Sequence, residues 1–151
     1  MRKEPAIETT SPATLTVLSV SPHQEDHLSL EAIIGHSRWT LLKADKLPSA
    51  WALLQAHDIP VVLCESDLKP GTWIDMLKDI QGMPTAPALI VTSRLADDYL
   101  WAEALNLGAW DVLPKPFDRS EVLRSVKTAW QHWRYQIQVP ALPLKVMTAA
   151  S

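Results

Sequence analysis

Apolar and polar residues alternate in blocks along the central part of the chain. Five short apolar runs each end in polar or turn-forming residues, which is typical of strands buried on both faces of a sheet. The stretches between the runs carry apolar side chains at helical spacing, as positions 73, 76, 77 and 80 illustrate. The pattern predicts strands at residues 15–20, 38–44, 59–64, 88–91 and 110–113.

Local signals predict where the helices begin and end. Ser21 and Pro22 suit a helix start, Gly35 suits a helix end, and Thr72 with Asp75 forms a capping pattern. The helices are predicted at residues 22–34, 46–57, 73–80, 97–107 and 118–135. Strands that alternate with helices predict a doubly wound parallel α/β sheet with five strands and five helices.

The same pattern predicts one domain between two tails. The domain covers residues 14–135, a polar tail covers 1–13, and residues 136–151 form a tail or linker with two prolines and no helical periodicity. A chain of 151 residues is long enough for one such core.

Charge and cysteine content exclude several function classes. The net charge is −3, and no cluster of Lys and Arg is longer than two residues. Direct binding to nucleic acid or to an anionic membrane is therefore not expected. The chain begins without a signal-like apolar run, contains no run of 18 apolar residues, and has a single cysteine, Cys64. We therefore expect a cytoplasmic protein.

The residues that could carry chemistry follow the strands. In an open parallel sheet, ligands bind where the carboxyl ends of the strands meet. Glu65 directly follows the apolar run VVLC, and Asp67 comes two residues later. Thr92 follows the fourth strand, and Lys115 follows the fifth within the sequence Lys-Pro-Phe-Asp.

The residues at these strand ends resemble the pattern of a known protein family. The block from Ala88 to Asp118 contains a strand ending in Thr92, an acidic helix start, Gly108-Ala109, Asp111 and Lys115-Pro116. With this spacing the chain resembles, over about residues 14–134, the receiver domains of two-component response regulators. The resemblance implies a flavodoxin-like (CheY-like) sheet with strand order 2-1-3-4-5.

The resemblance also implies roles for particular positions. In receivers, an Asp at the end of the third strand accepts a phosphoryl group, and two acids after the first strand help it to hold Mg²⁺. A Thr or Ser and a Lys contact the phosphoryl oxygens, and the bond between that Lys and the following Pro is typically cis. Thr92 and Lys115 would be the phosphoryl-contact residues, and Pro116 would follow a cis bond.

The chain departs from the family pattern at three places. Ser21 and Pro22 stand at the positions of the acidic pair, so we expect that the Mg²⁺ site is lost and that no cofactor or metal is bound. Glu65 stands at the phosphoacceptor position, although shifting the alignment by one residue would place Ser66 there. Val112 replaces the aromatic residue that usually precedes the Lys by three positions. The usual switch relay would then be absent.

Two interpretations of Glu65 remain open. Its longer side chain could reach Lys115 and Thr92 and partly imitate a phosphorylated Asp. Alternatively, it is a strand-end carboxylate that forms an ion pair with Lys115 for stability. Asp67 is a less favoured acceptor because it has left the strand.

Other polar residues near the first strand are expected to face solvent. Glu25 and Asp26 are predicted to lie a turn into the helix, away from the site. His23 and His27 have metal-compatible spacing but no evident third ligand, so a solvated pair is favoured.

The seven tryptophans are the other unusual feature of the composition. Trp51 and Trp73 are predicted to lie in the core. Trp101, Trp110 and Trp133 fall on the fourth helix, fifth strand and fifth helix, the face by which receivers commonly dimerise or bind targets. This face is expected to bind a protein partner or a second copy, since Trp is enriched at binding hot spots. Packing beneath the C-terminal tail is the alternative.

The function that follows is non-enzymatic signalling by an atypical receiver that acts through protein–protein contacts. One alternative is a working receiver that a histidine kinase phosphorylates on a nearby acid. A less favoured alternative is a flavodoxin-like ligand-binding protein, because no Gly-rich phosphate loop follows the first strand.

Overall fold

The computed structural model describes residues 14–138. The predicted tail at 1–13 lies outside these residues, as does the segment 139–151. Within the described range, five strands and five helices alternate along the chain.

The five strands form one parallel sheet in the order 2-1-3-4-5, numbered along the chain, as the resemblance to receiver domains implies. The first, third and fourth strands are central, and the second and fifth lie at the edges. The strands are β1 (Thr16–Val20), β2 (Thr40–Ala44), β3 (Val61–Glu65), β4 (Ala88–Ser93) and β5 (Asp111–Pro114).

Helices cover both faces of the sheet, and each face has its own apolar core. The first and fifth helices supply buried residues to one core, including Leu30 and Val126. The other three helices supply the second core, with Leu54, Met76 and Ala104. The helices are α1 (Gln24–Ile34), α2 (Leu47–Ala56), α3 (Trp73–Gln81), α4 (Asp98–Leu107) and α5 (Arg119–Gln138).

The helix starts follow the capping signals with one exception. Thr72 and Asp75 form a reciprocal capping box at α3, and Asp97 caps α4. α1, however, begins at Gln24 rather than at Pro22, with His23 in the N-cap position. Ser21 still fixes this turn, because its Oγ accepts a hydrogen bond from the His23 N–H at 3.0 Å.

The far end of α5 also differs from the prediction. The helix continues to Gln138, three residues beyond the predicted end at Tyr135. Pro140 then follows in the sequence, and proline together with its preceding residue disfavours helix.

Trp73 and Trp51 are both predicted to lie in the core, and only one of them does. Trp73 is buried, 4% exposed, on the α3 stripe that the spacing predicts. Trp51 is 37% exposed, so its predicted core position is wrong. The buried residues of α2 are Ala50 and Leu54, and Trp51 is one position off that stripe, rotated about 100° around the helix.

Cys64 lies within β3 and is fully buried. Burial, with a smaller contribution from the neighbouring Glu65, raises the pKa of its thiol. The thiol is therefore a core side chain next to the last residue of the strand.

None of the helices in residues 14–138 is both long enough and apolar enough to cross a membrane.

Candidate functional site

Lys115 lies between two carboxyl groups at the carboxyl ends of the strands. Its Nζ is 2.8 Å from Oδ2 of Asp26 and is in direct contact with Oε1 of Glu65. The three side chains are almost completely buried, with exposed fractions between 4% and 6%. Two acids from different elements therefore share one ammonium group.

Glu65 is held by the two residues that follow it in the chain. It is the last residue of the strand and lies opposite Thr92 in the register with β4. The other carboxylate oxygen, Oε2, accepts a hydrogen bond from the backbone N–H of Asp67 at 2.9 Å and one from the hydroxyl of Ser66 at 3.2 Å. These contacts fix the carboxylate while its Oε1 faces Lys115.

Asp26 reaches the site from the first turn of α1, and the prediction that it is solvated is wrong. Because α1 begins at Gln24, Asp26 is near the start of the helix and its side chain faces the strand ends. Its Oδ2 accepts a 2.6 Å hydrogen bond from the Ser21 hydroxyl as well as the bond from Lys115. Glu25 is largely exposed, as expected for a solvated acid.

His27 is also buried, 4% exposed, which contradicts the predicted solvent-facing histidine pair. Its Nε2 is 2.9 Å from the Ser21 carbonyl and its Nδ1 is 2.9 Å from the Ser19 hydroxyl. Since a carbonyl only accepts, Nε2 carries a proton and donates it to Ser21. Residues 14–138 contain no group of three or more His, Cys, Asp or Glu side chains that could hold a metal ion.

Opposing effects act on the Lys115 ammonium. Desolvation is the largest single effect and lowers the pKa of Lys115, but the hydrogen bonds and charges of Asp26 and Glu65 together outweigh it. The net result is a pKa raised above the ordinary lysine value of 10.5.

The remaining predicted positions are near the site but do not all contact it. Thr92 is buried, yet no side-chain hydrogen bond within the described residues joins its hydroxyl to Lys115 or Glu65. Val112 is buried in the core of β5. The Lys115–Pro116 peptide bond is cis, as the resemblance implies, and Lys69–Pro70 is a second, unpredicted cis bond.

The two remaining candidate positions lie toward solvent. Asp67 has an exposed side chain, and only its backbone N–H turns towards Glu65. Pro22 is exposed, whereas its neighbour Ser21 is buried against Asp26. The structure thus places Ser21, Asp26, Glu65 and Lys115 in one connected cluster.

Asp26 and His27 are the residues that the sequence interpretation missed. Asp26 precedes Leu30 by four positions and Ile34 by eight, so all three share one stripe of α1. His27 precedes Leu30 by three positions and belongs to the same buried side. Their helical spacing from the apolar stripe was the signal that could have located them.

The three tryptophans predicted on one face lie in two places. Trp101 is on α4 and is 37% exposed. Trp110 and Trp133 both line a cavity at the other edge of the sheet, near the amino-terminal ends of β4 and β5. Trp110 stacks on His132, with ring centroids 4.7 Å apart.

Solved structures define the class of fold. The signal receiver domain of an HD domain-containing protein from Pseudomonas fluorescens Pf-5 superposes with a TM-score of 0.79 at 23% identity, covering 89% of this chain and all of that one. The signal receiver domain of a LuxO repressor-type protein from Vibrio parahaemolyticus gives 0.76 at 14% identity, covering 83% of this chain and 96% of the other. The chain therefore has the receiver fold.

Sequence comparison gives the family. A family model described as response regulator receiver domain matches residues 17–127, so the chain belongs to the receiver domains of response regulators. It is 27% identical over 124 residues to the transcriptional regulatory protein CpxR of Klebsiella pneumoniae, covering 81% of this chain and 53% of that protein. It is 34% identical over 86 residues to the DNA-binding transcriptional regulator NtrC of Proteus hauseri, covering 56% and 18%.

The chain thus spans about half or less of the length of these curated relatives. The family places it in two-component signal transduction, in which receiver domains interact with kinases and other proteins.

Proposed function

We propose that this chain is an atypical, non-enzymatic receiver of the cytoplasm that signals by binding proteins rather than by accepting a phosphoryl group. The observation that carries the proposal is the position of Lys115, which contacts Glu65 and Asp26 at once. In this arrangement the lysine that would meet an incoming phosphoryl oxygen is already paired. Glu65 takes the phosphoacceptor position.

Glu65 imitates only part of a phosphorylated Asp. Its extra methylene brings a carboxylate oxygen into contact with Lys115, where an oxygen of a phosphoryl group on Asp would lie. The contact with Thr92 is not made within the described residues, and Val112 offers no aromatic ring for the usual relay. A fixed conformation is therefore favoured over a phosphate-triggered switch.

The residues present do not fit Mg²⁺. The ion requires near-octahedral oxygen ligands at about 2.0–2.1 Å. The positions of the acidic pair hold Ser21 and Pro22, and the two available carboxylates, on Asp26 and Glu65, already share the Lys115 ammonium. A divalent cation would have to displace that ammonium, so we propose that the site works without metal.

The surface of α4 is the proposed site for a protein partner or a second copy. Large apolar side chains there are exposed to solvent, and contiguous exposed apolar surface is typical of interaction sites. These side chains are Tyr99, Trp101, Leu105 and Leu107 on α4, together with Leu95 in the turn before it, and Tyr99 is 80% exposed.

A second candidate function is supported by the exposure of Asp67. An exposed carboxylate beside the site could accept phosphate from a histidine kinase, which would make the chain a conventional phosphoacceptor.

Incubation with a small acyl phosphate and Mg²⁺, followed by intact mass measurement, tests both functions. We expect no gain in mass. A gain of one phosphate that disappears in Asp67→Asn would overturn the proposal and establish the second function. A gain that persists in Asp67→Asn but disappears in Glu65→Gln would also overturn it, because Glu65 would then be an acceptor.

A further inference from the structure

A cavity with aromatic walls lies at the end of the sheet where β4 and β5 begin, opposite to the end that holds Lys115. It has a volume of about 540 Å³ and opens between the α3–β4 loop, the α4–β5 turn and the last turns of α5. Among residues 14–138, no Asp, Glu, Lys or Arg lines it, and its walls include Pro84, Pro87, Trp110, His132 and Trp133. Cavities lined by aromatic and small apolar side chains bind apolar groups that fit between the rings.

Trp133, which lines this cavity and a second one near the start of β1, has an unsatisfied polar group. Its indole Nε1 is buried and has no hydrogen-bond partner among residues 14–138. Buried indole N–H groups normally find an acceptor, because leaving one unpaired costs about 1–3 kcal/mol. By contrast, Trp110 donates its Nε1–H to the Thr128 hydroxyl at 3.4 Å. Within the described residues, Trp133 therefore lacks an acceptor for its indole N–H.

The chain itself carries a segment of matching chemistry directly beyond the cavity. α5 lines the cavity up to Ile137 and ends at Gln138, and residues 139–144 read Val-Pro-Ala-Leu-Pro-Leu. This stretch has no charge, like the cavity. Its prolines, Pro140 and Pro143, are three positions apart, which is one turn of a polyproline II helix. Proline segments with this P-x-x-P spacing dock on aromatic-lined grooves.

The segment is long enough to reach the cavity. Gln138 is five residues beyond Trp133, which corresponds to about 7.5 Å along the helix axis. Six residues in polyproline II conformation extend about 19 Å. Pro140, two residues beyond the end of α5, disfavours continuation of the helix.

We propose that residues 139–144 of the same chain dock in the cavity formed by Trp110, His132 and Trp133. The prolines and Leu142 fill the space between the rings, and a backbone carbonyl of the segment accepts the Trp133 indole N–H. Residues without an N–H, such as Pro140 and Pro143, leave the neighbouring carbonyls free to accept such bonds. The cavity is then an intramolecular peptide-binding site, independent of the cluster around Lys115.

Indole N–H signals in NMR spectra of the full, ¹⁵N-labelled chain test this proposal. Each tryptophan signal is assigned with Trp→Phe variants. The test variant is Leu142→Ser with Pro143→Ser, and the matched control is Thr148→Ser with Ala149→Ser, which alters two residues beyond the docking segment. Trp51 and Trp73, on the other face of the sheet, serve as internal references.

In the test variant we expect displaced signals for Trp133 and Trp110, and exchange of the Trp133 indole hydrogen faster by about fivefold or more. The control and the two reference tryptophans should keep the spectrum of the unaltered chain. Adding a peptide of residues 138–146 should return the variant's Trp133 signal to its original position.

Unchanged Trp133 signals in the test variant would overturn the proposal. So would an effect that scales with protein concentration and accompanies a dimer mass, because the segment would then occupy a second copy. Displaced signals that the peptide cannot restore would also count against docking, since they would indicate a change in α5 itself.

Discussion

The Lys115 Nζ lies 2.8 Å from Oδ2 of Asp26, although the two residues are 89 positions apart in the sequence. This contact joins the first turn of α1 to the loop that follows β5. The same ammonium contacts Glu65 at the end of β3, so three strand–helix units meet at one nitrogen atom. The arrangement makes the site a structural junction, and several measurements follow from it.

Replacing Asp26 with Asn should destabilise the fold. The variant removes one carboxylate from Lys115 and disturbs the bond from Ser21, so the free energy of unfolding should fall by about 1–3 kcal/mol. Urea denaturation measures the change. Glu25→Gln is the matched control because this neighbouring acid is largely exposed, and its effect should stay within about 0.5 kcal/mol. Equal effects of the two variants would contradict the role of Asp26.

Stability should fall at high pH because the pKa of Lys115 is raised in the folded state. A group with a raised folded pKa contributes its full stabilisation below its unfolded value, here near 10.5, and loses it as the pH rises through the folded value. Urea midpoints across this range should decline with pH. In Asp26→Asn the pKa of Lys115 in the folded state should lie closer to its value in the unfolded chain. The decline in stability at high pH should therefore be smaller. A pH profile identical to that of the unaltered chain would contradict the assignment.

Phosphate acceptance should return only when the whole acidic set is restored. Glu65→Asp alone should gain no phosphate from an acyl phosphate with Mg²⁺, because the positions of Ser21 and Pro22 still lack carboxylates. The triple variant Ser21→Asp, Pro22→Asp and Glu65→Asp should gain one phosphate by intact mass. Phosphate uptake by the single variant would show that the metal site is less degenerate than proposed.

Glu65→Asp should also change partner affinity if the carboxylate partly imitates a phosphorylated Asp. The shorter side chain should lose its contact with Lys115. A binding surface whose conformation depends on that contact should then change. Binding of the partner, or self-association, is the measurement. Unchanged affinity would leave only the stabilising ion pair as the role of Glu65.

His27→Asn should destabilise the chain by about 1–3 kcal/mol, because the shorter side chain cannot satisfy both Ser19 and the Ser21 carbonyl. Thermal or urea unfolding measures the loss. His23→Asn is the matched control, since His23 is the half-exposed member of the pair and suits an N-cap position as Asn. If both variants unfold alike, the buried histidine contributes no stability through its hydrogen bonds.

The proposed α4 surface predicts a difference between two tryptophans of equal exposure. Trp101 on α4 and Trp51 on α2 are both 37% exposed. Trp101→Ala should weaken self-association or partner binding by about tenfold or more, as expected for a hot-spot residue, whereas Trp51→Ala should not. Sedimentation or titration calorimetry gives the affinities. Loss of binding in both variants would indicate a stability effect rather than an interface.

The fold could be predicted from the sequence because its signals are local and repeated. The stripe at Trp73, Met76, Leu77 and Ile80 is buried as its spacing predicts, and the runs that end before Glu65 and within β4 are central strands. The same locality explains the errors at element ends. Ser21 carries a helix-start signal, but its hydroxyl bonds to Asp26 and to the His23 N–H, and α1 begins at Gln24, two residues later than predicted.

The candidate site was only partly predictable. The strand ends indicated Glu65 and Lys115, since parallel strands deliver their last residues to one edge. Asp26 depends on which side of α1 faces that edge, which requires the helix start and its rotation together. When a polar residue lies on an apolar stripe, the sequence around it does not indicate which distant part of the chain supplies its partner.

The reactivity of the Cys64 thiol reports local opening of the fold around β3. Its thiol is buried one residue before Glu65, and a thiol with a raised pKa reacts slowly with alkylating reagents. Alkylation therefore requires that β3 separate from its neighbours, and the rate of labelling measures how often it does so. The chain needs no added label for this purpose, because no second cysteine competes for the reagent.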